Sequence, residues 1–337
     1  MFSREMKAGD AFYDGFTIVT SIPDQEIYPE LHSLIDTGAE LYVHSPKYRI
    51  KIIKLADKFP SDGKEADIYY SDAKLPDGTP LLAKVYKKIN ERQKAKIQLM
   101  LSKDVDIPGI CYPVSWLSAQ PAEDSPCLGI LIPQAPENAK PLGGYIADIS
   151  LSAKERLDIA VALMRGFAAI SRKKLQIADF NMNNFLVSAD RKIYFIDTDS
   201  WQAENFPCPV ASPDIIFDHP FRIEQGFCNY SSDLRKPQEF AYGLCVMLFK
   251  TLINSEPYNT RREIPYEDCY DPTDILAGKP IFRNDKWSSD YSGEMWAACP
   301  EQLRKLFFNV FDSSGFFFYK KKELFMEDII RFFPPIN

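Results

Sequence analysis

Two short apolar runs, Phe185-Leu186-Val187 and Tyr194-Phe195-Ile196, stand either side of the turn residues Ala189-Asp190-Arg191, with a polar side chain at the open end of each run. Short aromatic and aliphatic runs separated by a turn predict two neighbouring β-strands. Asn184 opens the first strand and Asp197 follows the second, so the pair of strands places both side chains at one edge. Asp179 lies five positions before Asn184, in the loop Ile177-Ala178-Asp179-Phe180-Asn181-Met182-Asn183. An amide and a carboxylate at one edge can share Mg²⁺, which takes hard oxygen ligands and usually draws only one or two of them from protein. The loop presents Asp179 where it can accept a hydroxyl proton. Asp and Asn favour turns anyway, and a bare Asp-x-x-x-x-Asn would be no more than a turn. The second aspartate, at strand-turn-strand distance, sets this segment apart.

The first half of the chain reads as strands. Apolar runs predict them over 49–55, 66–70, 80–86, 111–117 and 127–132, with Pro76-Asp77-Gly78 as a turn signal. A helix is predicted from Asn90, a good N-cap, to about Ser102. Pro133-Gln134-Ala135-Pro136 then breaks regular structure. The second half reads as helices. One opens on the capping box Ser152-Ala153-Lys154-Glu155, and its stripe runs through Ile159, Leu163, Phe167 and Ile170. Others are predicted over 239–252, 300–311 and 322–332. Strands followed by helices make an α+β arrangement. It divides into an extension over 1–45, a first lobe over 46–133 and a second lobe over 134–337.

The order Asp179, Asn184, Asp197 resembles the catalytic and metal-binding loops of the protein-kinase-like superfamily. The wording Asp-Phe-Asn-x-x-Asn and Ile-Asp-Thr-Asp-Ser-Trp-Gln is similar to bacterial eukaryotic-like Ser/Thr kinases of one branch. That branch is linked to helix-hairpin-helix domains and tellurite-resistance-type gene neighbourhoods, although no helix-hairpin-helix segment is evident here. The resemblance implies a bilobal fold, with a small β-rich first lobe and a larger helical second lobe, that binds ATP with Mg²⁺. Asp179 would be the catalytic base, with Asn184 and Asp197 as metal ligands. Leu82-Ala83-Lys84-Val85 resembles the V-A-I-K strand, so Lys84 would hold the α- and β-phosphates. Residues 61–68 align with the glycine-rich phosphate loop but keep only Gly63 of its glycines, with Ala66 and Ile68 beside the cofactor. Pro133 and Ala135 would border the nucleotide at the hinge.

Several positions depart from that pattern. Glu91 is the only carboxylate between residues 85 and 103, and it lies nearer Lys84 in sequence than the usual helix glutamate. Either Glu91 pairs with Lys84, or the pair is absent and ATP binding is altered. Ile177 and Ala178 replace the usual His-Arg, Asn181 the usual lysine, and Asp199 the glycine after Asp197-Thr198. Val210-Ala211-Ser212-Pro213-Asp214 resembles the Thr-Pro-Glu piece of that bacterial branch, which would make Ser212 a bridge between Asp179 and a peptide substrate, and a capped turn fits it equally well.

A formal net charge of −7 and a pI near 5.2 argue against nucleic acid as a partner. The seven cysteines form no C-x-x-C pair and the three histidines do not cluster, which disfavours a disulfide scaffold, a zinc site and a Ser/His/Asp triad. No apolar run is long enough to span a bilayer, so no membrane contact and a cytoplasmic setting are expected. The lysines at 87, 88, 94 and 96 read as a solvated face, and Phe307-Phe308 and Phe316-Phe317-Phe318 read as core. The expected activity is transfer of the ATP γ-phosphoryl to Ser or Thr hydroxyls of a protein. A pseudokinase scaffold, a small-molecule kinase of the aminoglycoside or choline type, and transfer of AMP stay open.

Overall fold

The strand Pro80–Tyr86 is buried on both faces, and its two faces organise the first half of the molecule. The computed structural model describes residues 35–47, 51–60, 65–210, 214–226, 229–258, 272–284 and 291–333. Within them β1 (Glu40–His44), β2 (Ile52–Lys58), β3 (Ala66–Lys74), β4 (Pro80–Tyr86), β5 (Ser115–Ser118) and β6 (Gly129–Pro133) form a closed barrel in the order β1-β2-β3-β4-β6-β5. Every neighbouring pair is antiparallel. Because strand side chains alternate, Leu81, Ala83 and Val85 of β4 point into the barrel, where they meet Leu41, Ile53 and Leu131. Leu82 and Tyr86 take the outer face with Ile130 and Ile132, and Ile97 of helix α1 (Glu91–Ser102) covers them. Asn90 caps α1, its side chain accepting from the Gln93 N–H at 2.8 Å.

The barrel closes through β1, whose Tyr42, Val43 and His44 pair with Ser118, Leu117 and Trp116 of β5. Residues 40–44, read from sequence as part of an extension, are thus a structural strand, and residues 1–34 lie outside the described residues. The first predicted strand is displaced to Ile52–Lys58 and the fourth narrows to Ser115–Ser118.

The second half packs around two long helices. After β7 (Lys140–Pro141) and α2 (Leu142–Ile146) comes α3 (Ala153–Arg172), capped at Ser152 through the predicted box with Glu155. Strands β8 (Leu175–Gln176), β9 (Phe185–Val187), β10 (Ile193–Phe195) and β11 (Gln202–Ala203) follow, then α4 (Pro220–Glu224) and α5 (Pro237–Ile253). The helices α6 (Thr273–Ala277), α7 (Tyr291–Ala298), α8 (Glu301–Phe311) and α9 (Met326–Ile330) complete the described chain. Helix α5 is apolar on nearly all sides and correspondingly buried, as a central helix must be. Ile159, Leu163, Phe167 and Ile170 of α3 are fully buried against it in one core.

The last helix is shorter than predicted. Phe325 is extended there, and its N–H donates to Asp328 at 3.2 Å, so α9 starts only at Met326. Lys94 and Lys96 are buried rather than solvated, and Phe316 is exposed while Phe317 and Phe318 are core. The arrangement is α+β. No helix among the described residues is long and apolar enough to cross a membrane.

Candidate functional site

The hairpin of β9 and β10 builds one wall of the site. Phe185 pairs with Phe195, and just beyond them the Ile196 N–H donates to the Asn184 carbonyl at 2.9 Å. This register carries Asn184 and Asp197 to the same open end, as the sequence spacing predicts. In the preceding loop Asp179 Oδ1 accepts from the Asn181 N–H at 3.1 Å, and Asn181 Oδ1 accepts from the Asn183 N–H at 3.0 Å. A 3₁₀ turn over Met182–Asn184 then swings Asn184 back, so that its Nδ2 donates to Asp179 Oδ2 at 3.4 Å. Ile177 and Phe180 anchor the loop by burial, while Asp179 is only partly covered. Phe180 lies stacked between Phe167 and Phe217, with ring centroids 6.0 and 5.4 Å away.

Asp197 has left-handed backbone, with φ 55° and ψ 36°. Aspartate is one of the few non-glycine residues that enter that region readily. Here Ser200 Oγ donates to the Asp197 carbonyl at 2.8 Å and Thr198 Oγ1 donates to the Cys111 carbonyl at 2.8 Å. The turn is thereby fastened just after the aspartate.

Lys84 arrives from the other half of the molecule. Alternation along β4 puts it on the outer face with Leu82 and Tyr86, opposite Ile130, and at the next pair any side chain on Gly129 would collide with the Lys84 carbonyl. Its Nζ is 2.6 Å from Asp197 Oδ1 and 2.8 and 2.9 Å from the two oxygens of Asp199. The Tyr86 hydroxyl donates to Asp199 Oδ2 at 2.8 Å. Burial disfavours the Lys84 ammonium, but Asp199 and Asp197 outweigh it and hold its pKa above the ordinary lysine value. Burial likewise works against the Asp199 carboxylate, and Lys84 reverses the balance so that its pKa is lowered. Lys96 of α1 reaches the same place, donating to the carbonyls of Ser200 at 2.8 Å and Pro207 at 3.2 Å. Its pKa falls, because burial is not met by a carboxylate in hydrogen-bond contact. Burial raises the Asp179 pKa and the Asp197 charge adds to it, against the opposing hydrogen bond from Asn181.

The remaining predicted residues are placed as follows. Ile68 is the register partner of Lys84, and Ala66 pairs with Tyr86 on the same strand. Pro133 faces Leu81 at the other end of the β4–β6 pair, with Ala135 just past it. Gly63 and Ser212 lie outside the described residues. Glu91 is exposed in the first turn of α1 and is not among the carboxylates that hold Lys84. That role belongs to Asp199, which the sequence marks only as an unusual replacement for glycine.

Two cavities flank these residues. One of about 370 Å³ is lined by Lys84, Arg92, Lys96, Asp197, Asp199 and Ser232. Another of about 330 Å³ is lined by Asp179, Asn181, Asp214, Asp218, Arg235 and Lys250. No group of three or more His, Cys, Asp or Glu residues suited to a metal occurs among the described residues. The side-chain oxygens at the open end of the hairpin that could hold a cation are those of Asn184 and Asp197. The Asn184 amide spends its nitrogen on Asp179, leaving Oδ1 as an acceptor, and the Asp197 side chain is 39% exposed. That sparse oxygen set suits Mg²⁺ completed by phosphate and water. No protein-family model matches the chain, and no curated protein is significantly similar to it.

Proposed function

We propose that this chain is a phosphotransferase of bilobal, protein-kinase-like design that moves the γ-phosphoryl of ATP to a Ser or Thr hydroxyl of a protein. One observation carries the reading. Lys84 from the barrel and Asp197 from the hairpin, 113 residues apart, meet at 2.6 Å beside the hydrogen-bonded pair Asp179 and Asn184. A lysine, a candidate base and two candidate magnesium ligands are the protein groups that phosphoryl transfer needs, since its catalysis is mostly positioning and charge neutralisation.

On this reading Lys84 binds and orients the α- and β-phosphates, with Ile68 and Ala66 on the strand beside it. Asn184 and Asp197 hold Mg²⁺. Bound Mg²⁺–ATP supplies the phosphoryl group and spreads its charge. Asp179 accepts the proton of the acceptor hydroxyl, and its partly buried carboxylate with a raised pKa suits a general base. The left-handed turn at Asp197 fixes the backbone from which its carboxylate reaches the site.

A second reading, with a small polar molecule as acceptor, draws on the 330 Å³ cavity that opens directly on Asp179 and carries charges of both signs. Intact-protein mass spectrometry after incubation with Mg²⁺–ATP, on wild type and Asp179→Ala, tests the main proposal. Phosphate-sized additions on wild type alone support it. AMP-sized additions would replace it with nucleotide transfer. ATP turnover without protein modification, stimulated by small hydroxylated amines, would move the acceptor to the second reading.

A further inference from the structure

We infer that Asp199 is the positioning residue for Lys84, supplying from the hairpin side the carboxylate that helix α1 does not bring. The inference rests on the phosphotransferase reading above. Its basis is geometric: both Asp199 oxygens lie within hydrogen-bond distance of Nζ, at 2.8 and 2.9 Å, and the Tyr86 hydroxyl holds Oδ2 from the other side at 2.8 Å. The side chains of Lys84 and Asp199 are 10% and 9% exposed, so water competes little for either partner. Asp197, by contrast, gives Lys84 a single close oxygen and is 39% exposed. That difference divides their tasks. Asp197 is the carboxylate free to turn to an incoming cation, and Asp199 is the one that stays with the lysine.

The charge on α1 excludes the alternative source. Its buried polar side chains are Lys94 and Lys96, and its one carboxylate, Glu91, is exposed at the helix start. Lys94 is committed to the Ser125 carbonyl at 2.6 Å, and Lys96 to the carbonyls of Ser200 and Pro207. Helix α1 is therefore fastened to the segment after Asp199 by a cation that donates to backbone, and the acid comes from that segment itself. Since Asp197 and Asp199 share one short turn, placement of Lys84 and placement of the magnesium ligand become a single structural event.

The test compares wild type, Asp199→Asn and Asp199→Glu by calorimetric Mg²⁺–ATP affinity and by the rate at which an acyl-phosphate ATP probe labels Lys84, read by peptide mass spectrometry. Melting curves accompany both. Asp199→Asn should bind and label about ten-fold more weakly or worse, the loss of one charge-assisted contact. Asp199→Glu should recover much of the labelling, which a purely structural loss would not allow. If the Asn variant does not fold, Tyr86→Phe, which removes only the hydroxyl that holds Asp199, should label Lys84 roughly three-fold more slowly. Labelling and affinity unchanged in a folded Asp199→Asn, or in Tyr86→Phe where the Asn variant does not fold, would overturn the inference alone. A wild-type chain that does not bind Mg²⁺–ATP would overturn the phosphotransferase reading and this inference with it.

Discussion

Phe180 packs against Gly243, in the middle of α5, so closely that a Cβ at position 243 would clash with the Phe180 ring. Phe180 directly follows Asp179, so the helix glycine sets the depth at which the whole loop rests. Glycine inside a helix costs about 1 kcal/mol relative to alanine, and here that cost is exchanged for the close approach.

Gly243→Val should therefore destabilise the chain by roughly 2–3 kcal/mol through overpacking. It should also lift the loop carrying Asp179, lowering phosphoryl transfer while nucleotide affinity at Lys84 changes little. Urea unfolding with a parallel ATP-binding titration checks both. A variant of wild-type stability would show that the contact with Phe180 yields without cost.

Asp179→Asn keeps the shape of the side chain and removes the proton acceptor of the proposed mechanism. Transfer should fall by about 10²–10⁴-fold, the usual contribution of a positioned base, with Mg²⁺–ATP affinity close to wild type. Because burial and the Asp197 charge raise the Asp179 pKa, this carboxyl should titrate above the ordinary carboxylate range in the metal-free protein. A carbon-13 NMR titration of the metal-free protein, with Asp179→Asn to assign the signal, measures it.

Lys84→Met leaves Asp197 and the nearly buried Asp199 without their shared cation. Removing one partner of a buried ion pair costs roughly 3–5 kcal/mol. The double variant Lys84→Met/Asp199→Leu should regain part of that loss, since it also removes the stranded charge. Denaturant midpoints for the two single variants and the double one give the coupling.

His219 offers a pH prediction away from the site. It packs edge-on to Tyr242 at 5.4 Å, and its Nδ1 accepts from the Phe221 N–H at 3.3 Å. Burial lowers its pKa to about 4, against the opposing charge of Glu239. The folded state thus holds it neutral, while the unfolded chain takes up a proton near the ordinary histidine value of about 6.5. Its stabilisation is complete above pH 6.5 and is lost as pH falls towards 4, roughly 3 kcal/mol in all. His219→Asn keeps an acceptor for the Phe221 N–H but does not titrate, so its unfolding midpoint should fall less between pH 7 and 4.5.

The features legible in the sequence are those set by neighbours along the chain. The caps at Asn90 and Ser152, the stripe from Ile159 to Ile170 and the β9–β10 hairpin all depend on local spacing, and each lies where that spacing predicts. The hairpin in turn brings Asn184 and Asp197 together, because antiparallel register is a local matter. Tertiary structure decided the rest. Closure of the barrel by residues 40–44 depends on pairing with Trp116, Leu117 and Ser118, far along the chain. Burial of Lys94 and Lys96 depends on carbonyls from other segments, including Ser200 and Pro207 for Lys96. The choice of Asp199 over Glu91 as the partner of Lys84 is made across 115 residues. A charged side chain takes whichever counter-ion the fold delivers, and no local period records which one that will be.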